Sequence, residues 1–284
     1  MTNLLGVHAL VWSGGWDEPA ARHAISSAAA CGFDLIEVPI LDPSGIDTAM
    51  TRRLLDEYGM QAACSMGLPA YADVSSEDPT VVSAGKQLLA RAVEVTAEIG
   101  AGNLCGVLYS QLTKYPGPIS ARSRAHVVDA VASLAERAQA ASVQVSLEVV
   151  NRYESNVVNT SAQMLELLDE TGTDITVHLD TYHMNIEEDG FVTPVRQCGD
   201  RLGYVHIGES HRGYLGTGTI GFGAFFGALT ESGYAGPVTF ESFSSAVVHP
   251  ELSNQLAVWR NLWSDSDDLA RQARSFMAEQ LASS

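Results

Sequence analysis

Basic residues are scarce in this chain of 284 residues. Sixteen lysines and arginines stand against 34 aspartates and glutamates, which gives a formal net charge of −18. A surface of this sign repels nucleic-acid phosphates and lacks the basic stripe that sequence-independent binding to nucleic acid requires. The composition therefore argues against a nucleic-acid partner. The acidic run at 264–269 is typical of a solvent-exposed helix start without a function of its own.

Long apolar runs and paired cysteines are also missing. No apolar stretch reaches the roughly 20 residues that a membrane-spanning helix needs. The N-terminal MTNLLGVHALVW has neither a basic start nor a small-residue cleavage site. The four cysteines lie far apart and form no CxxC pair. We therefore expect buried, reduced thiols in a cytoplasmic protein that has no membrane segment.

The chain does contain a regular alternation of short apolar runs and helical patterns. Helix-like segments such as DEPAARHAISSAAACG separate eight strand-like runs, at 4–11, 33–40, 61–68, 103–109, 144–150, 175–181, 203–209 and 236–243. Eight such units predict a single α/β domain over 1–284, a (β/α)8 TIM barrel with a C-terminal helical extension from about residue 250. A doubly wound sheet is the alternative, but VWSGGWDEP after the first run is not the GxGxxG loop of such a sheet.

Four metal-ligating side chains lie at the ends of successive strand-like runs in the second half of the chain. They are Glu148 in QVSLEVVNRYE, Asp180 in ITVHLDTYH, His206 in LGYVHIGES and Glu241 in GPVTFESF. Taken singly, Asp180 is as typical of a helix cap, and His206 is more typical of a hydrogen-bonded core histidine. Because the carboxyl ends of barrel strands meet at one face, the four together predict a site for a divalent metal. Carboxylates favour Mn²⁺, Mg²⁺ or Co²⁺, and a zinc site with three protein ligands and water is the alternative.

This constellation suggests proton transfer at a carbon next to a carbonyl group. A divalent ion can chelate two adjacent substrate oxygens and stabilise an enediolate. Glu148 and Glu241 come from strands five and eight, so they can approach a bound carbon from opposite faces. If one removes a proton and the other returns it, that carbon is inverted. The loops that follow carry Glu154, His183 and Arg212, which we expect to bind a terminal hydroxyl of the substrate.

Other polar and aromatic residues near the strand ends admit more than one interpretation. His183 is equally consistent with supporting a metal ligand, and Glu154 with an ion pair to Arg152 or to Arg212. Glu37 is expected to be a buried carboxylate that anchors a loop or supports a ligand, and His178 to fill a layer of the barrel. Residues at the first and last strand ends predict the walls of the substrate cavity: His8, Trp12, Trp16 and Phe243.

The motifs LEVVNRYE, HLDTYHMNIEE, VHIGESHRG and FESF resemble the ketose 3-epimerase family, which includes D-tagatose, D-allulose (D-psicose) and L-ribulose 3-epimerases. The resemblance extends over essentially the whole chain. It implies an isomerase that inverts C3 of a ketose through a cis-enediolate, with Mn²⁺ as the expected metal and Mg²⁺ or Co²⁺ as alternatives. The family's metal ligands fall on Glu148, Asp180, His206 and Glu241, and its two catalytic glutamates fall on the first and last of these. A homodimer or homotetramer is also implied.

The resemblance also assigns the substrate contacts. The family residues that contact the first oxygens of the sugar fall on Glu154, His183 and Arg212. The chain departs from the family at His8, where an aromatic residue is frequent, and at Met66, where a smaller residue is frequent. Both are expected to line the cavity at the far end of the sugar. The segment GESHRGYLGTG is closer to the L-ribulose and D-allulose branch than to the D-tagatose branch.

Three other functions remain open at this point. A related barrel could isomerise an aldose and a ketose, such as hydroxypyruvate or a tetrulose, with the same metal. A metal-dependent DNA-repair endonuclease would need more histidine ligands and a basic surface, and a sugar-binding protein would not need two opposed glutamates. The loop at 216–223, GTGTIGFG, could cradle a phosphate, but no lysine or arginine occurs between Arg212 and Arg260, so an unphosphorylated sugar is favoured.

Overall fold

Residues 3–283 are described in a computed structural model, in which eight parallel strands close into a barrel. Each strand pairs with the next in sequence, and the last pairs with the first, for example at Val7 and Phe240. The sequence prediction of a single (β/α)8 barrel is therefore confirmed. The strands are β1 Leu5–His8, β2 Leu35–Pro39, β3 Gln61–Leu68, β4 Asn103–Gln111, β5 Gln144–Glu148, β6 Thr176–Asp180, β7 Leu202–Ile207 and β8 Val238–Phe240.

Helices surround the barrel and connect its strands. Helix α10 lies in the segment predicted as an extension, and it contacts β1, β8 and α8, so it helps to cover the barrel where the sheet closes. The helices are α1 Glu18–Ala30, α2 Thr48–Tyr58, α3 Pro79–Ile99, α4 Ala121–Ala140, α5 Ser161–Thr171, α6 Thr181–Glu187, α7 Val192–Cys198, α8 Phe222–Glu231, α9 Pro250–Gln255 and α10 Ser266–Ser283. Short 3-10 turns occur at Ala9–Val11, Pro43–Gly45, Ala70–Ala72 and Gly199–Arg201.

Alternating strand residues serve two environments. In β2, Ile36 and Val38 belong to the large apolar core, while Leu35 belongs to a small separate cluster with Ala63, Cys105 and Tyr204. Because successive strand side chains point to opposite faces, Glu37 lies on the same face as Leu35. The strands therefore bury one face against the helices, and the other face fills the barrel interior with a small apolar cluster and polar residues such as Glu37.

The first and last strands are shorter than the sequence predicts. Strand β1 ends at His8, whose Nδ1 accepts the backbone N–H of Leu10 at 3.1 Å and caps the following 3-10 turn. Strand β8 ends at Phe240, and Glu241 then donates one more backbone hydrogen bond to Ile207. In both strands the chain leaves the sheet at the point where the predicted site residues begin.

Gly106 in β4 allows two strands to approach closely beneath the predicted cavity. Its φ is 111°, and a Cβ atom there would lie 2.3 Å from the carbonyl oxygen of Met66. Any other residue would therefore be strained and would displace Met66.

No helix within residues 3–283 combines the length and the apolar character needed to cross a membrane. All four cysteines are buried and free of disulfide bonds, as the sequence predicts.

Candidate active site

Glu148, Asp180, His206 and Glu241 meet at the carboxyl end of the barrel. Glu148 and Asp180 are the last residues of β5 and β6, His206 lies in β7, and Glu241 follows β8 directly. Each offers one ligand atom, and these four atoms all lie within 4.8 Å of one another. All four side chains are buried. The structure thus brings together the four residues that the sequence predicts as a metal site.

The His206 imidazole has two different environments. Its Nε2 lies 2.7 Å from Glu37 Oε2, so Nε2 carries the proton and donates it to that carboxylate. Its Nδ1 is buried and has no hydrogen-bond partner among the described residues, while Glu241 Oε1 and Glu148 Oε1 lie 3.3 and 3.7 Å away. Although burial opposes it, the surrounding carboxylates Glu37, Glu241 and Glu148 raise the pKa of His206 well above its ordinary value, so without a metal a proton sits between Nδ1 and these oxygens. A divalent cation bound by Nδ1 and the carboxylates would replace that proton, so the residues fit a metal ion.

Burial governs the protonation of the carboxylates. It raises the pKa of Glu148 to about 8 and the pKa of Asp180 to about 6, with Glu241 adding to the effect and His206 opposing it. Burial also raises the pKa of Glu241, but His206 and Arg212 outweigh it, so the pKa of Glu241 falls below its ordinary value. A cation between these groups would favour their ionised forms.

Asp180 divides its two oxygen atoms between the fold and the site. Oδ1 accepts the backbone N–H of Tyr182 at 2.7 Å and caps the start of α6. Oδ2 lies 3.2 Å from Arg212 Nη1 and 3.6 Å from His183 Nε2. Asp180 therefore caps a helix with Oδ1 and contributes to the site with Oδ2.

Arg212 lies at the centre of the polar cluster. Its Nη1 contacts Glu241 Oε2 at 2.5 Å, and its guanidinium carbon lies 3.7 Å from the centroid of the Tyr182 ring. The backbone of Arg212 adopts a φ of 61°, and its carbonyl oxygen accepts the hydroxyl of Ser242. A buried cation thus neutralises part of the carboxylate charge, and an aromatic ring fixes its plane.

Glu154 and His183 are joined through a residue that the sequence analysis did not single out. Asn151 donates its side-chain amide to Glu154 Oε1 at 2.9 Å, and its backbone N–H to His183 Nδ1 at 3.1 Å. The Nε2 of His183 therefore carries the proton, and it lies 3.6 Å from Glu148 Oε1 and 3.9 Å from Glu154 Oε2. Burial raises the pKa of Glu154 to about 7 and lowers the pKa of His183 well below its ordinary value.

Among the described residues, Glu154 forms no ion pair with Arg152 or with Arg212, which pairs with Asp180 and Glu241. Arg152 instead pairs with Glu187, with 2.7 Å between Nη2 and Oε2, and its side chain is 62% exposed. Glu154 remains buried and faces the cavity.

A cavity of about 70 Å³ opens over Glu148, His206 and Glu241. Most residues predicted to contact substrate line it: His8, Met66, Glu154, His183, Arg212 and Phe243. Trp16 lines a neighbouring depression, which shares Leu10, Pro39 and Leu41 with the cavity, and its indole donates to Thr51 Oγ1 at 3.0 Å. The contact predicted between Trp16 and the substrate stays a prediction.

Two buried residues behave as supports. Burial alone would raise the pKa of Glu37, but His206 and His8 hold it below its usual range, so Glu37 is a carboxylate. Glu37 also belongs to two smaller groups of potential ligands, one with Cys105 and His206 and one with His8 and Glu241. His178 is fully buried and packs its ring against His206 and Tyr204, as expected of a residue that fills the barrel.

Three residues near the site were not predicted. Asn151 and Tyr182 lie within the motifs NRYE and DTYH, directly after strand ends, and that position was the available signal. Tyr109 donates its hydroxyl to the backbone carbonyl of Glu148 at 2.6 Å. Nothing in its local sequence distinguishes it from a core tyrosine.

Comparison with known proteins agrees with this geometry. A family model described as a xylose isomerase-like TIM barrel matches residues 25–280. An L-ribulose 3-epimerase from Methylomonas sp. (strain DH-1) is 54% identical, and the alignment covers 96% of both chains. A ketose 3-epimerase from Arthrobacter globiformis is 50% identical over 98% of this chain and 96% of its own.

The chain belongs to the ketose 3-epimerase family of xylose isomerase-like TIM barrels. It is therefore an isomerase-class enzyme, as the sequence predicts. A solved structure of a D-allulose 3-epimerase from Methylomonas sp. in complex with D-allulose is 53% identical to it, with a TM-score of 0.97. That superposition covers 98% of this chain and 97% of the other.

Proposed function

We propose that this enzyme is a metal-dependent epimerase that inverts C3 of free ketoses. The observation that carries the proposal is the placement of two buried glutamates, Glu148 and Glu241, around one cation site on the floor of the cavity. The reactions we propose interconvert D-allulose with D-fructose, D-tagatose with D-sorbose, and L-ribulose with L-xylulose. The names of the relatives, which include L-ribulose and D-allulose 3-epimerases, support this choice of substrates.

The two glutamates occupy unequal environments, which suits a pair that exchanges a proton. Glu148 has a raised pKa, whereas Glu241 pairs with Arg212 and has a lowered pKa. Glutamates whose pKa values are driven apart can serve as acid and base in the same turnover. One removes the C3 proton, and the other returns a proton to the opposite face of the cis-enediolate.

The metal would be held by Glu148, Asp180, His206 and Glu241. When bound, a divalent ion supplies Lewis-acid stabilisation of the negative charge that develops on adjacent substrate oxygens. We propose Mn²⁺ as the metal in the cell, with Mg²⁺ and Co²⁺ as alternatives, because carboxylates are hard ligands and the imidazole favours a transition metal. We further propose a cytoplasmic homodimer or homotetramer.

Three side chains would orient the sugar. Glu154, His183 and Arg212 line one region of the cavity, and they are interconnected through Asn151 and the Arg212–His183 contact at 3.4 Å. His183 presents its N–H and Arg212 its guanidinium, so both donate to the first oxygens of the ketose, while Glu154 accepts from a hydroxyl. Fixing these oxygens places C3 between the two glutamates.

The glycine-rich loop after β7 supports an unphosphorylated substrate. Its backbone amides already bind a carboxylate of the protein, since Glu209 accepts the N–H of Ser210 at 2.7 Å and that of Gly216 at 2.9 Å. Glu209 is fully buried. Backbone N–H groups of this kind bind phosphate in many barrels, but here an internal anion occupies them.

Incubation of the Mn²⁺-loaded enzyme with D-fructose, D-allulose, D-tagatose and L-ribulose in D₂O tests the function. Chromatography identifies the products, and NMR locates the deuterium. We expect a new ketose that carries deuterium at C3, and the rates rank the substrates. Aldose products, or deuterium at C1 or C2, would instead establish an aldose–ketose isomerase and overturn the proposal.

A further inference from the structure

A single buried carboxylate, Glu37, lies between the metal site and the cavity wall. Its Oε2 accepts from His206 Nε2 at 2.7 Å and from the Tyr204 hydroxyl at 2.9 Å. Its Oε1 lies 3.3 Å from His8 Nε2. Glu37 is fully buried on β2, and these partners come from β1 and β7. One side chain therefore contacts a candidate metal ligand and a candidate substrate-contacting residue.

Neighbouring residues determine which atoms around Glu37 carry the protons of its contacts. His8 Nδ1 accepts the backbone N–H of Leu10, so the proton of neutral His8 is on Nε2 and faces Glu37 Oε1 and Ser65 Oγ. Tyr204 accepts from Thr239 Oγ1 at 2.9 Å, which leaves its own proton for Glu37. Oε2 of Glu37 thus accepts from two donors, whereas Oε1 has no hydrogen bond among the described residues and lies 3.3 Å from the protonated Nε2 of His8.

On His206 the same contact selects the tautomer. Because Nε2 donates to Glu37, Nδ1 is the nitrogen left to bind a metal, and it faces Glu148 and Glu241. A carboxylate partner also raises the basicity of a metal-binding imidazole. The opposite tautomer would place a proton between His206 and the cation.

We infer that Glu37 is a positioning residue that prepares His206 for the metal and couples it to His8 on the cavity wall. The inference rests on the metal centre of the proposed function. It follows that the residue at position 8 is linked energetically to metal binding, although His8 does not belong to the four-ligand group.

Replacing Glu37 by glutamine should reveal the coupling between His206 and His8. In Glu37→Gln the amide oxygen must stay with His206 and Tyr204, since both are donors, so the NH₂ group faces the N–H of His8. Two donors then oppose each other on the cavity side. His8→Phe removes that opposition, so the two substitutions should not be independent.

The experiment measures Mn²⁺ affinity by calorimetry on metal-free protein, without substrate. We expect Glu37→Gln to weaken binding by roughly 10- to 100-fold, and His8→Phe to change it by no more than about threefold. The control Glu170→Gln, at a surface ion pair with Arg124, should leave the affinity unchanged. If the two substitutions acted independently, the loss of Mn²⁺ affinity in the double variant Glu37→Gln, His8→Phe would equal the product of the two single losses. We expect the double variant to bind Mn²⁺ about threefold or more tightly than that product predicts. Unchanged affinity in Glu37→Gln, or strictly multiplicative effects in the double variant, would overturn the inference.

A second measurement does not depend on the folding of any variant. In wild-type protein labelled with ¹⁵N-histidine and loaded with Mg²⁺, NMR should show the Nε2–H tautomer for both His8 and His206. An Nδ1–H tautomer at His206 would overturn the inference. Failure of wild-type protein to bind Mn²⁺ would instead remove the metal centre of the proposed function, and the inference with it, so the two failures are distinguishable.

Discussion

Arg212 pairs with Glu241, at 2.5 Å between Nη1 and Oε2, and this separates the two glutamates of the site electrostatically. Glu148 lacks a contact of this kind: the salt-bridge partners found for it among the described residues are His183 and His206. Burial therefore dominates at Glu148 and raises its pKa to about 8, while His206 and Arg212 lower the pKa of Glu241 despite burial. One guanidinium thus distinguishes two carboxylates that the sequence presents as equivalent.

Removing either carboxylate should stop the reaction without unfolding the protein. Glu148→Gln and Glu241→Gln keep the side-chain volume but lose the proton-accepting group. We expect the turnover rate of each variant to fall by about 10²- to 10⁴-fold. Circular dichroism should show a retained fold. The matched control is Glu170→Gln, which breaks a surface ion pair with Arg124 and should retain near wild-type turnover. Near-normal turnover in either site variant would contradict the two-base mechanism.

Chelation should remove both activity and stability. A ligand that binds only the folded state stabilises it by mass action, by about 2.7 kcal/mol at 100 times its dissociation constant. We therefore expect EDTA to abolish epimerisation and lower the melting temperature, and added Mn²⁺ to restore both. The measurement is differential scanning fluorimetry alongside a turnover assay. If EDTA changes neither quantity, Glu148, Asp180, His206 and Glu241 do not hold a metal.

The barrel and its central residues were predictable because they follow local rules. Period-two alternation and the position of a residue at the carboxyl end of its strand depend on a few neighbours in sequence. These rules placed Glu148 and Asp180 at the ends of their strands, where the structure has them. The sequence also indicated that Glu37 supports a neighbour, but it could not name that neighbour. Its partner His206 is 169 residues away, and strand closure alone brings them together.

Other features of the site depend on loop conformation. Asn151 reaches Glu154 and His183 from the turn after β5, and Tyr182 stacks on Arg212, whose backbone adopts a positive φ in the loop after β7. No periodic pattern encodes such turns. The same limit applies to Trp16, for which position after a strand end did not fix the direction of the side chain.

Replacing Arg212 should destabilise the metal-free protein more than the metal-loaded protein. In Arg212→Met, Asp180 and Glu241 lose the cation that contacts both. Breaking a buried pair costs on the order of 3 kcal/mol, and a bound divalent ion should offset much of this loss. Urea unfolding with EDTA and with Mn²⁺ measures the difference. Arg196→Met, which breaks an exposed pair with Glu231, should cost under about 1 kcal/mol in both conditions. An equal loss for Arg212→Met in the two conditions would count against this prediction.

His8 and Met66 should determine which ketose is preferred. Both line the cavity, His8 packs edge-on to Phe243 at 5.8 Å between ring centroids, and neither belongs to the four-ligand group. We expect His8→Phe and Met66→Ala to change the ranking of kcat/KM among D-allulose, D-fructose, D-tagatose and L-ribulose by roughly 10-fold. Deuterium should still enter at C3. Trp16→Phe, at the neighbouring depression, should alter the ranking less. An unchanged ranking would place His8 and Met66 outside the substrate contacts.

Phosphorylated ketoses should be poor substrates. Within the described residues, Arg212 is the one lysine or arginine that lines the cavity, and it is already paired with Asp180 and Glu241. The backbone amides after β7 are occupied by Glu209. A phosphate would therefore enter without a free cation or amide cradle, and an unpaired charge in such a site is costly. We expect kcat/KM for D-fructose 6-phosphate to be at least about 100-fold below that for D-fructose, measured by the same chromatographic assay. Comparable values would show that the phosphate finds a partner in this cavity, and that Glu209 does not exclude it.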